Sequence, residues 1–468
     1  MDEKDEFFDD VNTTRKEEVP QPPLPPEQGN GRVPARRVSY KKWIIGIACV
    51  LGAVILTVLA FGGGMLVQWY SIDPQMRTLI KVKGAIDELY YKDVSDDEFY
   101  GALFATVNNE LLDDYSEYMT AEEYKSALSS LAGNRSGIGV SLITESATGE
   151  EQMRISRVCG NSPAEEAGLA TGEYIVGFGV SEEFMTESEN YEEFSAFLAE
   201  RAEEEYFYMK LRSGESFRTV SLCKRAYVEN YVFYRTNEKA YTFSGEKALT
   251  PKQTDNVLSC LDDDTAYIRL VQFTGNASEA FDLAMEMFDT DEKKNLVLDL
   301  RGNGGGYLDV VQDIAKYFCK NATDSKPRAV TADYGNRKEY YLARGNLYNE
   351  YFTAESRIVV LADSGTASAS ECLIGCMKDY GTIDYADICL SERDGVAKTY
   401  GKGIMQTTYM IDLLKGDAIK LTTAEIRWPV TGYSIHARGV LPEDGTATVA
   451  ESYEGDSEIE NALKALAM

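Results

Sequence analysis

A chain of 468 residues is too long for one ordinary domain and implies two or three. Its apolar content of 44% allows sizeable cores, while a formal net charge of −30 argues against nucleic-acid binding, which needs Lys and Arg to neutralise phosphates. The only histidine, His436, excludes sites that need two, the HExxH zinc proteases among them.

Residues 1–42 read as a disordered tail: the start is mostly charged, then Pro20, Pro22, Pro23, Pro25 and Pro26 follow, and such sequence cannot bury a core. Residues 43–70 differ in kind. No charged residue occurs from Ile44 to Val67, a run of 24 residues. As a helix it spans roughly 36 Å at ~1.5 Å per residue, enough to cross a bilayer with some tilt. Arg32, Arg36, Arg37, Lys41 and Lys42 precede it, and residues 68–79 hold one basic residue, Arg77, and one acid, Asp73. The positive-inside rule then puts the N-terminus in the cytoplasm and everything after Tyr70 outside, with Trp43, Trp69 and Tyr70 at the interfaces. A cleaved signal peptide is the competing reading; the run is long for one, begins late and lacks a clear small-x-small site.

Residues 75–132 carry apolar positions at helical spacing: Leu79, Val82, Ala85, Ile86 and Leu89, then Leu103, Val107, Leu111 and Leu112. Leu112-Asp113-Asp114-Tyr115-Ser116 breaks the pattern, and Thr120-Ala121-Glu122-Glu123 reads as the capped start of another helix. Within 133–225, Ser136-Gly137-Ile138-Gly139-Val140 is a glycine-flanked apolar loop before a strand, and Arg154 to Val158 is another strand. Ser162 to Leu169 is a short capped helix, Glu173 to Phe178 a strand, and Ser213-Gly214 the turn of a hairpin. Within 226–450, Tyr267 to Gln272, Leu296 to Leu300 and Ile358 to Leu361 read as buried strands. Phe281 to Phe288, Asp309 to Phe318 and Ser370 to Tyr380 read as helices, so the alternation predicts an α/β core. Residues 451–468 form an acidic tail ending in a short helix.

Outside the apolar run the cysteines are Cys159, Cys223, Cys260, Cys319, Cys372, Cys376 and Cys389, an odd set without a CxxC pair, which suits neither a disulfide framework nor a zinc ribbon. Cys372 and Cys376 share a helix face and read as small buried apolar residues.

Three loops carry chemistry. Asp299-Leu300-Arg301-Gly302-Asn303-Gly304-Gly305-Gly306 ends an apolar strand, and its glycines can bring bare N–H groups against an oxyanion or a phosphate. No Gly-Lys-Ser/Thr follows, so it is no P-loop, and a plain tight turn competes. Asp363-Ser364-Gly365-Thr366-Ala367-Ser368-Ala369-Ser370-Glu371 crowds small residues between a strand and a helix, where a hydroxyl can stand exposed at a helix N-terminus; ordinary helix capping competes. Tyr400-Gly401-Lys402-Gly403-Ile404-Met405-Gln406 sets a lysine between glycines. Burial disfavours its ammonium form, and a neutral amine can take a proton from a serine, with Gln406 able to orient it.

In this order the loops resemble the carboxy-terminal processing proteases, the tail-specific serine peptidases of family S41, from about Leu79 to about Asp444. Leu112 to Thr120 looks like that family's pre-PDZ stretch, Ser136–Val140 with Ser162–Leu169 like its PDZ domain, and Asp299–Gly306 like its glycine-rich strand end. Trp428-Pro429 with Gly432 and Ile435, then Gly439-Val440-Leu441-Pro442-Glu443-Asp444, resembles its closing motif.

The resemblance implies a crotonase/ClpP-like α/β protease core with an inserted PDZ β-sandwich-like domain, a small N-terminal helical layer and one transmembrane helix. It implies Ser368 as nucleophile, Lys402 as general base, Gln406 as its orienter, and the N–H of Ala369 with that of Gly305 or Gly306 as the oxyanion hole. Gly137, Ile138, Gly139 and Val140 would bind a substrate C-terminus. It implies no metal and no organic cofactor. The expected partners are protein or peptide substrates with free C-termini and the membrane; a second copy of the chain stays open.

Two departures stand out: Thr366 replaces the more usual serine, and the stretch from Tyr380 to Gly401 is long and polar (Ser391, Glu392, Arg393, Asp394), as a surface insertion would be. The competing readings are a catalytically inactive peptide-binding scaffold of the same fold, a Ser–His hydrolase using His436, and a ligand-binding or acyl-transfer enzyme on a related core.

Overall fold

The computed structural model describes residues 40–145, 152–245, 248–391 and 397–440, with residues 459, 463 and 464. The expected tail up to residue 39, Glu392-Arg393-Asp394, the Leu441–Asp444 motif and most of the acidic tail lie outside the described residues. The chain divides into two units, residues 1–99 and 100–468.

In the first unit the uncharged run lies in a helix, Tyr40–Ser71. Its large apolar side chains face outward, Leu56 at 69% exposure and Val67 at 73%, which water penalises and lipid does not. The segment Trp43–Ser71 is long and apolar enough to cross a bilayer. Asp73 ends that run and starts the next helix, Pro74–Leu89: its carboxylate accepts the Gln75 N–H at 2.8 Å, and Pro74 occupies the first turn. Lys83 is buried on this helix and pairs with Asp87 and, at 2.8 Å, with Asp96.

In the second unit Thr120 and Glu123 form the reciprocal cap that opens the helix Ala121–Leu131. An antiparallel sheet follows, in the order Val140–Glu145, Gln152–Val158, Tyr174–Ser181, Tyr206–Ser213 and Ser216–Cys223, with Phe184–Thr186 paired beside Tyr174–Ser181. Alternate residues of its strands (Met153 and Ile155, then Phe207, Met209 and Leu211) are wholly buried in a core of their own under the helices Pro163–Glu166 and Tyr191–Glu200. Gly214, with φ of 57°, makes the hairpin turn.

The largest core surrounds a seven-stranded mixed sheet. Four strands run parallel: Thr265–Leu270, Asn295–Asp299, Ile358–Ala362 and Ile388–Leu390. The helices Ala277–Thr290, Leu308–Ala315 and Ala369–Asp379 supply most of the helical face of this core, while Leu258, Leu261 and Ile459 cover the other face. Burial on both faces gives these strands continuous apolar runs. Val232–Arg235, Ala240–Ser244 and Thr250–Thr254 add an antiparallel wing.

The strand Ile388–Leu390, fully buried at the sheet edge, corrects one expectation. Part of the Tyr380–Gly401 stretch extends the sheet instead of looping over the surface, and Ser391 is itself buried, its N–H donating to the Ala362 carbonyl at 2.9 Å. A second sheet joins Arg328–Asp333, Lys338–Leu342, Ile404–Met410 and Ala418–Arg427 to the short strand Glu117–Met119. It carries the glutamine singled out above, and the lysine stands two residues before its strand Ile404–Met410.

Candidate active site

Ser368 stands between the parallel strand Ile358–Ala362 and the helix Ala369–Asp379, at φ 56° and ψ −113°. A non-glycine residue persists there only when its surroundings over-determine it. They do. The Ser368 N–H donates to Glu371 Oε2 at 2.8 Å, and the Ala367 N–H donates to the Asn303 carbonyl at 2.9 Å. The Ser370 hydroxyl donates to that same carbonyl at 2.9 Å. The Thr366 hydroxyl, fully buried, donates to the Leu300 carbonyl at 2.8 Å and accepts the Asp363 N–H at 2.9 Å. Threonine thus meets the bonding need at this position, and its extra methyl is accommodated.

The glycine-rich loop is tied to the same turn. The buried Asp363 Oδ1 accepts the Gly302 N–H at 2.9 Å and the Gly365 N–H at 2.8 Å. The Asn303 amide donates to the Leu270 carbonyl at 2.7 Å, while its oxygen accepts the Gly305 N–H at 2.9 Å. Gly305, at φ 99°, lies so close that a Cβ there would come within 2.8 Å of the Ala367 carbonyl oxygen, the Ala369 nitrogen and Ser368 Cβ. Only glycine fits. Gly306 runs beside Phe273. The structure therefore brings Ser368, Ala369 and Gly305 together.

Lys402 reaches the same place through Glu371. That carboxylate accepts the Gly401 N–H at 2.8 Å on one oxygen, together with the Thr399 hydroxyl; its other oxygen accepts the Lys402 N–H at 3.0 Å alongside the Ser368 N–H. Burial pushes the Glu371 carboxyl up, and those donors pull it back. The flanking glycines have a steric cause. A Cβ on Gly401 would sit 2.8 Å from the Gly439 nitrogen, and one on Gly403 2.5 Å from the His436 nitrogen. His436 itself is exposed.

Burial lowers the Lys402 ammonium's pKa, the like charge of Lys420 lowers it further, and Asp113 opposes both. Among the described residues no hydrogen bond joins the Lys402 amine to the Ser368 hydroxyl; the amine lies over the Tyr115 ring, 4.6 Å from its centroid. Gln406 does not bond the lysine either. Its amide donates to the Thr422 hydroxyl at 3.2 Å.

The expected peptide-binding residues lie in the separate antiparallel domain. The Gly139 carbonyl accepts the Cys159 N–H at 2.8 Å and the Ile138 carbonyl accepts the Ala164 N–H at 2.9 Å. Ile138 is buried in that domain's core, Gly137 ends one strand and Val140 starts the next. Gly139, at φ 86°, has no room for a Cβ beside Ser162.

Residues 264–444 match the model of peptidase family S41. That match takes in both Ser368 and Lys402. The chain is 24% identical to a CtpA-like serine protease of Staphylococcus saprophyticus, covering 89% of itself and 76% of the relative. It is 26% identical to a CtpA-like serine protease of Staphylococcus haemolyticus, covering 88% and 74%. Among solved structures it is similar to a photosystem II D1 C-terminal processing protease (22% identity, TM-score 0.42, 78% of this chain and 85% of that one). It is also similar to an S41 protease from Bacteroides fragilis (16% identity, TM-score 0.46, 81% and 90%). It is a serine protease of mixed α/β fold.

The residues that sequence reasoning passed over are Glu371, Asp363, Asn303 and Tyr115. Glu371 carried a signal, standing three residues after Ser368 as in a capping box. Tyr115 carried none, since 287 positions separate it from Lys402 (402 − 115).

Proposed function

We propose that this S41 protease is an endopeptidase that cuts extracytoplasmic proteins near their C-termini, with Ser368 as nucleophile and Lys402 as general base. One observation carries the reading: a single buried carboxylate, Glu371, accepts the N–H groups of both Ser368 and Lys402. A two-part site built from loops 34 positions apart (402 − 368) thereby gains a common backbone anchor. The depressed ammonium of Lys402 favours the neutral amine that a base requires.

In this reading the amine takes the Ser368 proton as Oγ attacks the scissile carbonyl. The N–H groups of Ala369 and Gly306 receive the oxyanion, since Gly305 directs its own N–H to Asn303. The Lys402 ammonium returns the proton to the leaving amine. Water, deprotonated by the Lys402 amine, then attacks the acyl carbonyl, and the acyl–Oγ bond breaks as Ser368 Oγ takes that proton back. The antiparallel domain captures the substrate's free C-terminus near Gly137–Val140 as an added strand. The helix Tyr40–Ser71 anchors the chain with its N-terminus in the cytoplasm and the catalytic part outside.

The test is fluorophosphonate labelling together with mass spectrometry of peptides that differ only at the C-terminus. Ser368→Ala is expected to abolish labelling and cleavage, and Lys402→Ala to lower both by at least about a thousandfold. Undiminished cleavage in either variant overturns the assignment.

A further inference from the structure

The segment Leu112–Thr120 precedes the antiparallel domain, yet it is fastened to the sheet that the lysine loop leads into. Glu117–Met119 pairs antiparallel with Ala418–Lys420 of the strand Ala418–Arg427. The Thr422 N–H donates to the buried Ser116 hydroxyl at 2.8 Å, and the Tyr118 hydroxyl donates to Asp417 at 2.9 Å. Asp417 also accepts the Ala121 N–H at 3.1 Å, and Lys420 pairs with Glu117. Inside this strap the Asp113 carboxylate accepts the Tyr115 N–H at 3.0 Å, which fixes the turn presenting the ring.

Two contacts then orient Tyr115. Its hydroxyl bonds the Tyr400 hydroxyl at 3.1 Å, two residues before the lysine, and its ring face receives the Lys402 amine at 4.6 Å. An ammonium is drawn to the electron-rich face of an aromatic ring. The groups around Lys402 are therefore Tyr115 and Asp113 from the strap, Tyr400 from its own loop, Lys420 from the neighbouring strand and Glu371 at its backbone. His436, packed by its backbone on Gly403, is exposed.

We propose that Tyr115 is a positioning residue of the protease: its ring is the seat of the Lys402 amine, and the strap Leu112–Thr120 is the device that carries the seat to the site. This rests on the assignment of Lys402 as base. The seat holds the lysine chain in one orientation before substrate arrives. It also favours the ammonium form, opposing the burial and the Lys420 charge that favour the amine.

The test follows fluorophosphonate labelling of Ser368 against pH in the full chain, solubilised in mild detergent. The parent rate should rise with pH through the Lys402 titration to a plateau. Tyr115→Leu removes the ring face; its midpoint is expected about half to one pH unit lower, and its plateau about tenfold lower. Tyr115→Phe keeps the ring and should hold the parent midpoint. Should the leucine variant fail to fold, phenylalanines bearing one, two and three fluorines at position 115 weaken the ring face at nearly constant volume. The midpoint should then fall with each fluorine. A leucine or trifluorinated variant with the parent midpoint overturns the proposal, because a merely structural ring would change the plateau alone. Lys402→Ala separates the two claims: parental labelling there defeats the Ser–Lys reading itself, whereas loss there with unmoved Tyr115 variants defeats only the seat.

Discussion

The two sides of the proposed active site are held in different ways. On the serine side the backbone is fixed from several directions: Asp363, Thr366 and Asn303 knit the Ser368 turn to the glycine loop through buried hydrogen bonds. On the lysine side only the backbone is fixed, by Glu371, and the long side chain rests against a ring supplied by a distant strap. The physical chemistry of the groups explains the contrast. A serine Oγ sits on Cβ, so once φ and ψ are set only the χ1 rotation remains to aim it. A lysine amine sits beyond four rotatable carbons, so backbone anchoring cannot aim it and a second contact must.

The largest test of that contrast is at the shared anchor. Glu371→Gln keeps the volume but replaces one acceptor oxygen with an NH2 group facing buried donors. The cost should be about 2–4 kcal/mol of stability, read by denaturant unfolding. Cleavage should fall by about a hundredfold or more, because both loops lose their common reference. A variant with near-parental stability and rate would show that the anchor does not couple the two sides.

Gly305→Ala breaks the serine side alone. The added methyl meets three atoms at 2.8 Å in a φ of 99°, none of them the end of a flexible chain. The turn must shift, and kcat is expected to fall about tenfold to a hundredfold while the pH midpoint stays put. A moved midpoint would mean that the serine turn also sets the lysine's protonation.

The smallest effect sharpens the lysine side. A Lys whose pKa is depressed becomes an amine as pH rises through that lowered value, so activity grows with pH below the usual lysine range. Lys420→Gln removes a neighbouring positive charge and thereby makes the ammonium easier to form. The midpoint should rise by a few tenths of a pH unit, about 0.2–0.5, with little change in plateau. A downward shift would show that Lys420 acts through its pairing with Glu117 on the strap instead of through its charge.

Legibility followed the physics of each element. The strands around Leu296–Leu300 and Ile358–Leu361 were visible because both faces are buried. The strand Ile404–Met410 was not, because its residues are half-buried or exposed and its pattern lacks a clean alternation. The Thr120 cap and the Ser213-Gly214 hairpin were visible because they are local. The Ile388–Leu390 strand was hidden in a stretch whose polar neighbours suggested a surface loop. At the site, the hydroxyl beside a helix start and the lysine between glycines were legible as residue patterns. The roles of Glu371 and Tyr115 depend on contacts between segments distant in the chain.

The sequence by itself determined the uncharged helix, the apolar parallel strands and the capped helix starts, since each depends on solvent exposure or backbone geometry over a few residues. Only the tertiary structure decided that one carboxylate holds both loops, that Gly305 turns its N–H to Asn303, and that a tyrosine 287 positions away (402 − 115) lies under the lysine amine. Hydrogen bonds and ring contacts act over a few ångströms in space, and the distance between two residues in space is not a function of their separation along the chain.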